Sequence, residues 1–446
     1  MYDGGARGHL SACLADAFLA GPWHENGLVA RGGQALDPPP VWVDALAQAT
    51  LAAYRFRPAD RPRELAAFIA LELRGMAGPS GTPAPRVRRW RPAELEMGRR
   101  RWPVPPLSDL GALAGHLGVG LGTLDWLADS RGLERTVAGE RLRNYRYGWF
   151  PREDGRPRVI ERPKARLKAI QRRLLHELLD PIPAHDAAHG FTRGRSARSH
   201  AAAHTGRDIV LRLDLEDFFA SIGAGRVFGL FRTAGYPEPV AHTLTALATN
   251  AVPQAEWASV PRPKAPPASI AAHHRLGRRL ATPHLPQGAP TSPALANLAA
   301  FTLDRRLARL AARFGATYTR YADDLTFSGS RLLRRRADQV QATVAKIATE
   351  EGFAINARKS ALATRAGRQL VCGIVVNERP NVPRAEYDEL KAIIHNAALH
   401  GPAGQNRAGV RDFRAHLLGR IAWVESLHAG RGARLRRELA RIAWER

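Results

Sequence analysis

Along Ile209-Val210-Leu211-Arg212-Leu213-Asp214-Leu215, hydrophobic and polar positions alternate with the period of a strand. Ile209, Leu211, Leu213 and Leu215 fall on one face and Arg212 and Asp214 on the other, so Asp214 is expected at a strand end, away from the core. Two more strands are predicted at 316–321 and 325–328, joined by a tight turn at Ala322-Asp323-Asp324 that puts adjacent carboxylates at a hairpin tip. Another hairpin is predicted over Tyr145 to Glu161, turning at Gly155. Helical spacing is clearest where Leu167, Ile170, Leu174 and Leu178 share a face and Arg166, Lys168, Arg172 and Arg173 occupy others. Short helical patterns lie between Leu107 and Leu127. Ser292 followed by Pro293 reads as an N-cap and first helical position, with Leu303, Leu307, Leu310 and Phe314 as the apolar stripe that follows. From residue 381 on, the chain reads as helices with glycine breaks and basic faces.

Other segments lack such periods. Ala255 to Pro286, rich in Pro, Ala and Arg, reads as a long surface insertion. Gly78 to Pro85 and the basic run Arg86 to Arg101 read as a linker after an N-terminal helical segment without an interpretable motif. The expected division is 1–105 for this extension and linker, 106–380 for a mixed helix and strand region, and 381–446 for a helical end.

With 446 residues, 45% of them hydrophobic, the chain can bury a large core and is expected to form two or more domains. A net charge of +26 would repel itself in the compact state unless a polyanion is the working partner, which points to nucleic acid. Part of the basicity is compositional, since only six of the 67 basic residues are lysine and alanine is also abundant. Cys13 and Cys372 cannot form a disulfide framework, and no Cys and His cluster has zinc-ligand spacing. Asp3, Arg7, His9 and Asp16 interrupt the N-terminal apolar stretch, and no run reaches the ~18–20 apolar residues of a membrane span. A cytoplasmic protein with no membrane partner is the expectation.

Two ionised carboxylates side by side repel, so a fold tolerates them mainly in water or around a cation. A lone Tyr-x-Asp-Asp match carries little weight. Here it is accompanied by a second strand-end carboxylate upstream, a glycine-containing loop leading into a helix, and strong basicity. Three hard oxygen donors, Asp214, Asp323 and Asp324, can hold Mg²⁺ ions whose shells are completed by water and phosphate oxygens. A pair of ions about 3.5–4 Å apart would activate a hydroxyl, neutralise a triphosphate and stabilise departing pyrophosphate.

Tyr321-Ala322-Asp323-Asp324 resembles the Tyr-x-Asp-Asp box of reverse transcriptases, and 212–219 is similar to the strand carrying their first catalytic carboxylate. Leu285-Pro286-Gln287-Gly288-Ala289-Pro290-Thr291-Ser292-Pro293 resembles the Leu-Pro-Gln-Gly loop and helix start of the bacterial enzymes. The resemblance, from about Leu107 to the C-terminus, implies an α+β right hand: fingers and a palm whose antiparallel sheet carries the carboxylates over 106–380, and a helical thumb over 381–446. It implies Asp214 and Asp323 as direct metal ligands with Asp324 beside them. Two Mg²⁺ ions are the implied cofactors, with Mn²⁺ as a substitute. Phe219 matches the aromatic that excludes the ribose 2′-hydroxyl, with a core aromatic as the alternative. Gln287 and Gly288 match contacts to the incoming dNTP. Arg158 matches a triphosphate-gripping residue, a role open also to Arg156 and Lys164. Lys359 matches a palm lysine near the leaving phosphate, or is a solvated surface lysine.

Within that family the chain is most similar to retron reverse transcriptases, through Ala188-His189-Gly190-Phe191, Gly194-Arg195-Ser196, His204 and Val371-Cys372-Gly373. It departs from their pattern where His200 stands for asparagine and Cys372 for threonine. The resemblance implies a cognate non-coding RNA as template, priming from an internal 2′-hydroxyl, an RNA–DNA hybrid product, and an RNA-linked single-stranded DNA made in phage defence, with an effector protein as a further partner. It places recognition of that RNA at His200, His204, Val371, Cys372 and Gly373; ordinary buried histidines are the alternative for the first two. Arg431, Arg434, Arg436 and Arg437 are expected to follow the duplex backbone, and Trp423 and Trp444 to stack on RNA bases or serve the core. The alternatives are a group II intron-like or diversity-generating enzyme, an idle RNA-binding scaffold, and an RNA-dependent RNA polymerase, which Phe219 disfavours.

Overall fold

Four helices that no motif announces open the chain: Ala6–Leu19, Glu25–Ala35, Val43–Ala53 and Pro62–Gly75. The structure, a computed structural model, describes residues 6–76, 85–137, 139–151, 157–261 and 267–444. Leu14, Phe18, Leu28, Leu46, Leu65 and Ile69 give the four helices a core of their own. Buried Arg31 donates to the carbonyls of Ala17, Phe18 and Pro22 at 2.8, 3.0 and 2.7 Å, satisfying acceptors left over where the first helix ends. Part of the basic run expected as linker is structured: β1 (Leu36–Asp37) pairs with β2 (Arg86–Val87). Residues 78–84 of the glycine-rich stretch before it fall outside the described residues.

This region belongs to the first of two compact units, Met1–Ile182 with Ile222–Ser292; the second is Pro183–Ser221 with Pro293–Arg446. Within the first unit, Arg232 reaches Asp60 at 2.7 Å and the Gly98 amide donates to the Gly235 carbonyl at 2.8 Å, which ties the N-terminal helices to the helix Ala224–Thr233. The expected hairpin is formed by β3 (Tyr145–Pro151) and β4 (Pro157–Pro163), paired from Tyr145↔Pro163 to Pro151↔Pro157; its turn, with Gly155 and Arg156, lies outside the described residues. The amphipathic helix runs Ala165–Leu174 and continues as a π-helical turn, Leu175–Leu179, with Leu167, Ile170, Leu174 and Leu178 all buried.

The expected surface insertion is instead partly helical. It contains Gln254–Ala258 and Pro267–Leu280, and the second helix buries Ser269, Ala272, His273, Leu276 and Leu280. That face has helical spacing but is built largely from small and polar side chains, so hydrophobicity alone does not reveal it. The Trp257 and His273 rings meet at a tilt with centroids 4.4 Å apart, and a Cβ on Gly277 would lie 2.7 Å from the indole, so glycine is what lets helix and indole meet. Ser292 also departs from expectation: its hydroxyl donates to the Pro286 carbonyl at 2.7 Å and holds the preceding loop.

In the second unit, β5 (Ile209–Asp214), β6 (Thr317–Tyr321), β7 (Asp324–Gly329) and β8 (Ala361–Thr364) form one antiparallel sheet in the order β6-β7-β5-β8. β5 is covered on both faces, because other segments pack over the side that the alternation leaves polar: Val210 packs with Ala201, Val371, Ile374 and Val376, and Asp214 is buried rather than facing solvent. The helices Ser292–Ala299 and Phe301–Arg313 break at Ala300; Leu303 and Leu307 are buried, Leu310 and Phe314 partly so. A short hairpin, β9 (Leu370–Val371) with β10 (Ile374–Val375), precedes three C-terminal helices, Arg384–His400, Phe413–Leu427 and Ala429–Leu439. These share one apolar cluster that includes Tyr387, Leu390, Ile394, Leu417, Ile421 and Leu435. Among the described residues, no helix is long and apolar enough to cross a membrane.

Candidate active site

Sheet register brings the three aspartates together. Asp214 on β5 is the direct cross-strand partner of Asp324 on β7, a pairing whose Cα atoms stand about 4.5–5.5 Å apart. Ala322 and Asp323 form the two-residue turn between β6 and β7, with Ala322 at φ 55°, and the Asp323 carbonyl accepts from the Leu215 amide at 2.9 Å. Burial first, then the charges of Asp323 and Asp214, push the Asp324 carboxyl up to about 6. Asp214 is held from the far side: Lys359 Nζ donates to Oδ1 at 3.1 Å, Asn356 Nδ2 to Oδ2 at 3.2 Å, and the Asn356 amide to the Asp214 carbonyl at 2.7 Å. Lys359 therefore reaches the carboxylate cluster; Asn356, three residues before it, is a contributor that sequence reasoning passed over.

The turn rests on a buried ion pair. Arg320 and Asp304 are both fully buried, and the guanidinium grips the carboxylate through Nε–Oδ1 at 2.8 Å and Nη2–Oδ2 at 2.7 Å. Tyr318 donates to Asp304 at 2.8 Å, and Arg320 Nη1 donates to Asn297 Oδ1 and to the Ala322 carbonyl, each at 3.0 Å. One arginine thus joins the helical layer to the turn that carries Asp323. On the open edge of β6, the His189 amide donates to the Arg320 carbonyl and the Arg320 amide to the Ala187 carbonyl, both at 2.7 Å. Gly190 follows so closely that an added Cβ would stand 2.6 Å from the Ala322 nitrogen.

His200 and His204 are buried with no exposure, which corrects the expectation that they meet RNA. His200 bonds the hydroxyls of the cross-strand partners Thr319 and Thr326 at 2.6 and 3.3 Å, and His204 those of Thr319 and Ser328, both at 2.7 Å. Burial, reinforced by neighbouring His189 and other positive groups, pushes them down to about 2 and about 3, so both are neutral imidazoles clamping β6 to β7. Val371 is likewise buried. Cys372 and Gly373, at φ 47° and 77°, form the β9–β10 turn; Cys372 Sγ lies 3.9 Å from Asp324 Oδ2, and its thiol is pushed up to about 12 by burial and then by that carboxylate. Of the five residues expected to read RNA, only Gly373 is exposed.

The first unit holds Arg158, Gln287 and Gly288 together. Arg158 is exposed on β4, and its Nη2 and Nε lie 2.8 and 3.1 Å from the end of the Gln287 side chain, whose amide accepts both bonds once it is turned to face the guanidinium with its oxygen. The Glu161 amide donates to the Gln287 carbonyl at 2.9 Å, and Gly288 has φ 135°, with any Cβ 2.7 Å from the Glu161 carbonyl oxygen. Only glycine fits there. Buried Glu161 also accepts from Asn250 at 2.7 Å and His284 at 2.9 Å. Burial lowers the affinity of His284 for a proton, but the Glu161 charge and hydrogen bonds outweigh it and raise the group above its ordinary value.

The family model for reverse transcriptase (RNA-dependent DNA polymerase) matches residues 150–392. The chain belongs to the reverse transcriptases. It is 40% identical to the retron Mx65 reverse transcriptase of Myxococcus xanthus over 346 residues, covering 78% of this chain and 74% of that one. It is 37% identical to the retron Mx162 reverse transcriptase of the same organism over 316 residues, with 68% and 61% covered, and 33% identical to the retron Ec86 reverse transcriptase of Escherichia coli over 242 residues, with 54% and 65% covered. It is accordingly a retron-type reverse transcriptase, an RNA-directed DNA polymerase.

For this reverse transcriptase the packing of Gly190 has a measurable consequence. Gly190→Ala forces the 187–190 segment or the 322–323 turn to move, and displacement of a reacting group by ~1 Å can cost about 10²-fold in rate. A loss of that order in kcat for DNA synthesis is expected, with a lowered thermal transition, since overpacking a buried site costs about 1–3 kcal/mol. Full activity in the variant would show that the turn tolerates the shift.

Proposed function

We propose that the protein copies a structured, cognate non-coding RNA into DNA by adding dNTPs at a centre built on Asp214, Asp323 and Asp324. The observation that carries this reading is the register that sets Asp214 opposite Asp324 with Asp323 in the adjoining turn. Among the described residues, no three His, Cys, Asp or Glu side chains stand as a preformed metal cluster. The donors nevertheless fit Mg²⁺: they are hard carboxylate oxygens, and the raised Asp324 marks a charge cluster that a divalent cation relieves. Asp214 and Asp323 would hold the ions with Asp324 beside them, and Mn²⁺ suits the same donors. When bound, a pair of such ions supplies activation of the primer hydroxyl and charge neutralisation on the triphosphate. Lys359 and Asn356 fix the orientation of Asp214.

In this reading Arg158, Gln287 and Gly288 contact the incoming nucleotide, and the Arg158–Gln287 bond pre-orients the guanidinium for phosphate. Phe219 excludes the ribose 2′-hydroxyl. Residues 106–380 act as fingers and palm, 381–446 as thumb, and the self-contained C-terminal apolar cluster favours that last boundary. Exposed Arg434 and Arg437 follow the RNA–DNA backbone, whereas Arg431 stacks on Tyr387 at 4.7 Å and Arg436 pairs with Glu425 at 2.6 Å. In this reading the product is an RNA-linked single-stranded DNA made in phage defence, with an effector protein as a further partner.

Primer extension on an RNA template tests the proposal. Purified protein with Mg²⁺ is expected to incorporate dNTPs far better than NTPs and to stop when the cation is chelated. Equal use of both sugars would remove the gate at Phe219; no incorporation, even on the RNA encoded beside the gene, would remove the polymerase centre.

A further inference from the structure

Phe191 is held in a conformation that neither its backbone nor its side chain favours. It has φ 58°, in the left-handed region that a bulky residue seldom adopts, and the residue is 54% exposed. The backbone just before it is fixed: Ala188 bridges Arg320 at the edge of β6, Gly190 is wedged against the 321–322 backbone, and Asn297 Nδ2 donates to the Gly190 carbonyl at 2.8 Å. The chain therefore delivers this ring to one place.

That place is an aromatic cluster beside the aspartates. The Phe191 centroid lies 6.3 Å from that of Phe219 and 6.2 Å from that of Tyr321, distances at which rings make edge and offset contacts. Tyr321 is the last residue before the Ala322-Asp323 turn, and Phe219 follows Asp214 on the segment leaving β5. Phe219 leans on its other neighbour, Phe218, at 5.6 Å; Phe218 is buried beneath the Arg320 guanidinium, also at 5.6 Å. Phe219 is thus backed from inside by a ring tied to the core and from outside by Phe191.

We propose that Phe191 is a positioning residue for sugar selection: its ring keeps Phe219 in the orientation that bars a 2′-hydroxyl, so that a 2′-deoxynucleoside triphosphate is accepted and its ribonucleotide counterpart refused. The proposal rests on the reading of Phe219 as the sugar gate. A residue that only filled space would have no reason to stand half in solvent on a strained backbone.

Single-nucleotide incorporation with dNTP and with the matching NTP tests it, in the full-length protein and in Phe191→Ala, Phe191→Leu, Phe219→Ala and the double alanine variant. Phe191→Ala should raise kcat/KM for the NTP relative to the dNTP about tenfold, within the range that one lost apolar contact gives. Phe191→Leu, which keeps bulk, should relax the ratio less. The double variant should be no more permissive than Phe219→Ala alone, because Phe191 acts through that ring. A gain of ribonucleotide use is not what a damaged fold produces. An unchanged ratio in Phe191→Ala beside a relaxed one in Phe219→Ala overturns the proposal. An unchanged ratio in Phe219→Ala removes the gate reading itself, and with it the support assigned to Phe191.

Discussion

Asp323→Asn is expected to leave RNA-directed DNA synthesis at background and at the same time to make the cation-free protein more stable. Both effects come from the strand register, which fixes Asp214 against Asp324 and holds Asp323 in the turn beside them. Burial and the two neighbouring carboxylates raise the Asp324 carboxyl from its ordinary 3.8 to about 6. The folded state therefore binds this proton more tightly than the unfolded chain does. The resulting contribution to stability is complete below the ordinary value and is lost as pH rises through about 6. At pH 7.5 the cation-free protein bears the whole repulsion, and removing the Asp323 charge lowers it. A divalent cation held by the three aspartates would do the same for the unmodified protein. Mg²⁺ should consequently raise the thermal transition of the unmodified protein more at pH 7.5 than at pH 5, and by much less in Asp323→Asn at either pH. Primer extension paired with thermal scans in Mg²⁺ and in chelator checks all three results. Residual synthesis by the variant, or an undiminished Mg²⁺ increment, would detach Asp323 from the centre.

The same register explains what could be read in the sequence. Alternation locates β5, and a Tyr-x-Asp-Asp turn between two short strands locates β6 and β7, because period and turn chemistry are local properties. That Asp214 faces Asp324 is not local. It depends on strand order, and the burial of Val210 on the same face depends on Ala201 and the 371–376 segment packing over the sheet, which no local pattern announces. Helix Pro267–Leu280 is hard to read from sequence because its buried face mixes Ser269, Ala272 and His273 with Leu276 and Leu280, so strong hydrophobicity marks only its last turns. His200 and His204 illustrate the opposite case. A motif resemblance suggested RNA contact, whereas the hydroxyls of Thr319, Thr326 and Ser328, brought together across two strands, give each imidazole partners inside the protein. Arg320 left a usable trace: it shares a strand face with Tyr318, and a charge at a core-facing position implies a buried counter-charge, here Asp304 on a helix.

Arg320→Met is expected to cost about 3–5 kcal/mol, the usual result of removing one partner from a buried pair and stranding the other charge. Asp304 would be left fully buried with only the Tyr318 hydroxyl among its present side-chain donors. In a unit of this size the loss corresponds to a fall of roughly 10 °C in the thermal transition. Replacing both partners, as Arg320→Met with Asp304→Leu, removes both charges together and should recover much of that stability, since an apolar pair of similar volume often matches a buried salt bridge. Synthesis should not recover with it. The Arg320 guanidinium also holds the Ala322 carbonyl at 3.0 Å, and methionine cannot, so the turn that presents Asp323 stays unanchored in the double variant. Thermal scans and dNTP incorporation on the same three proteins separate the two roles. Recovery of stability without recovery of kcat assigns the arginine to placement of the turn as well as to the core; recovery of both would reduce it to a buried ion pair that the fold can exchange for hydrocarbon.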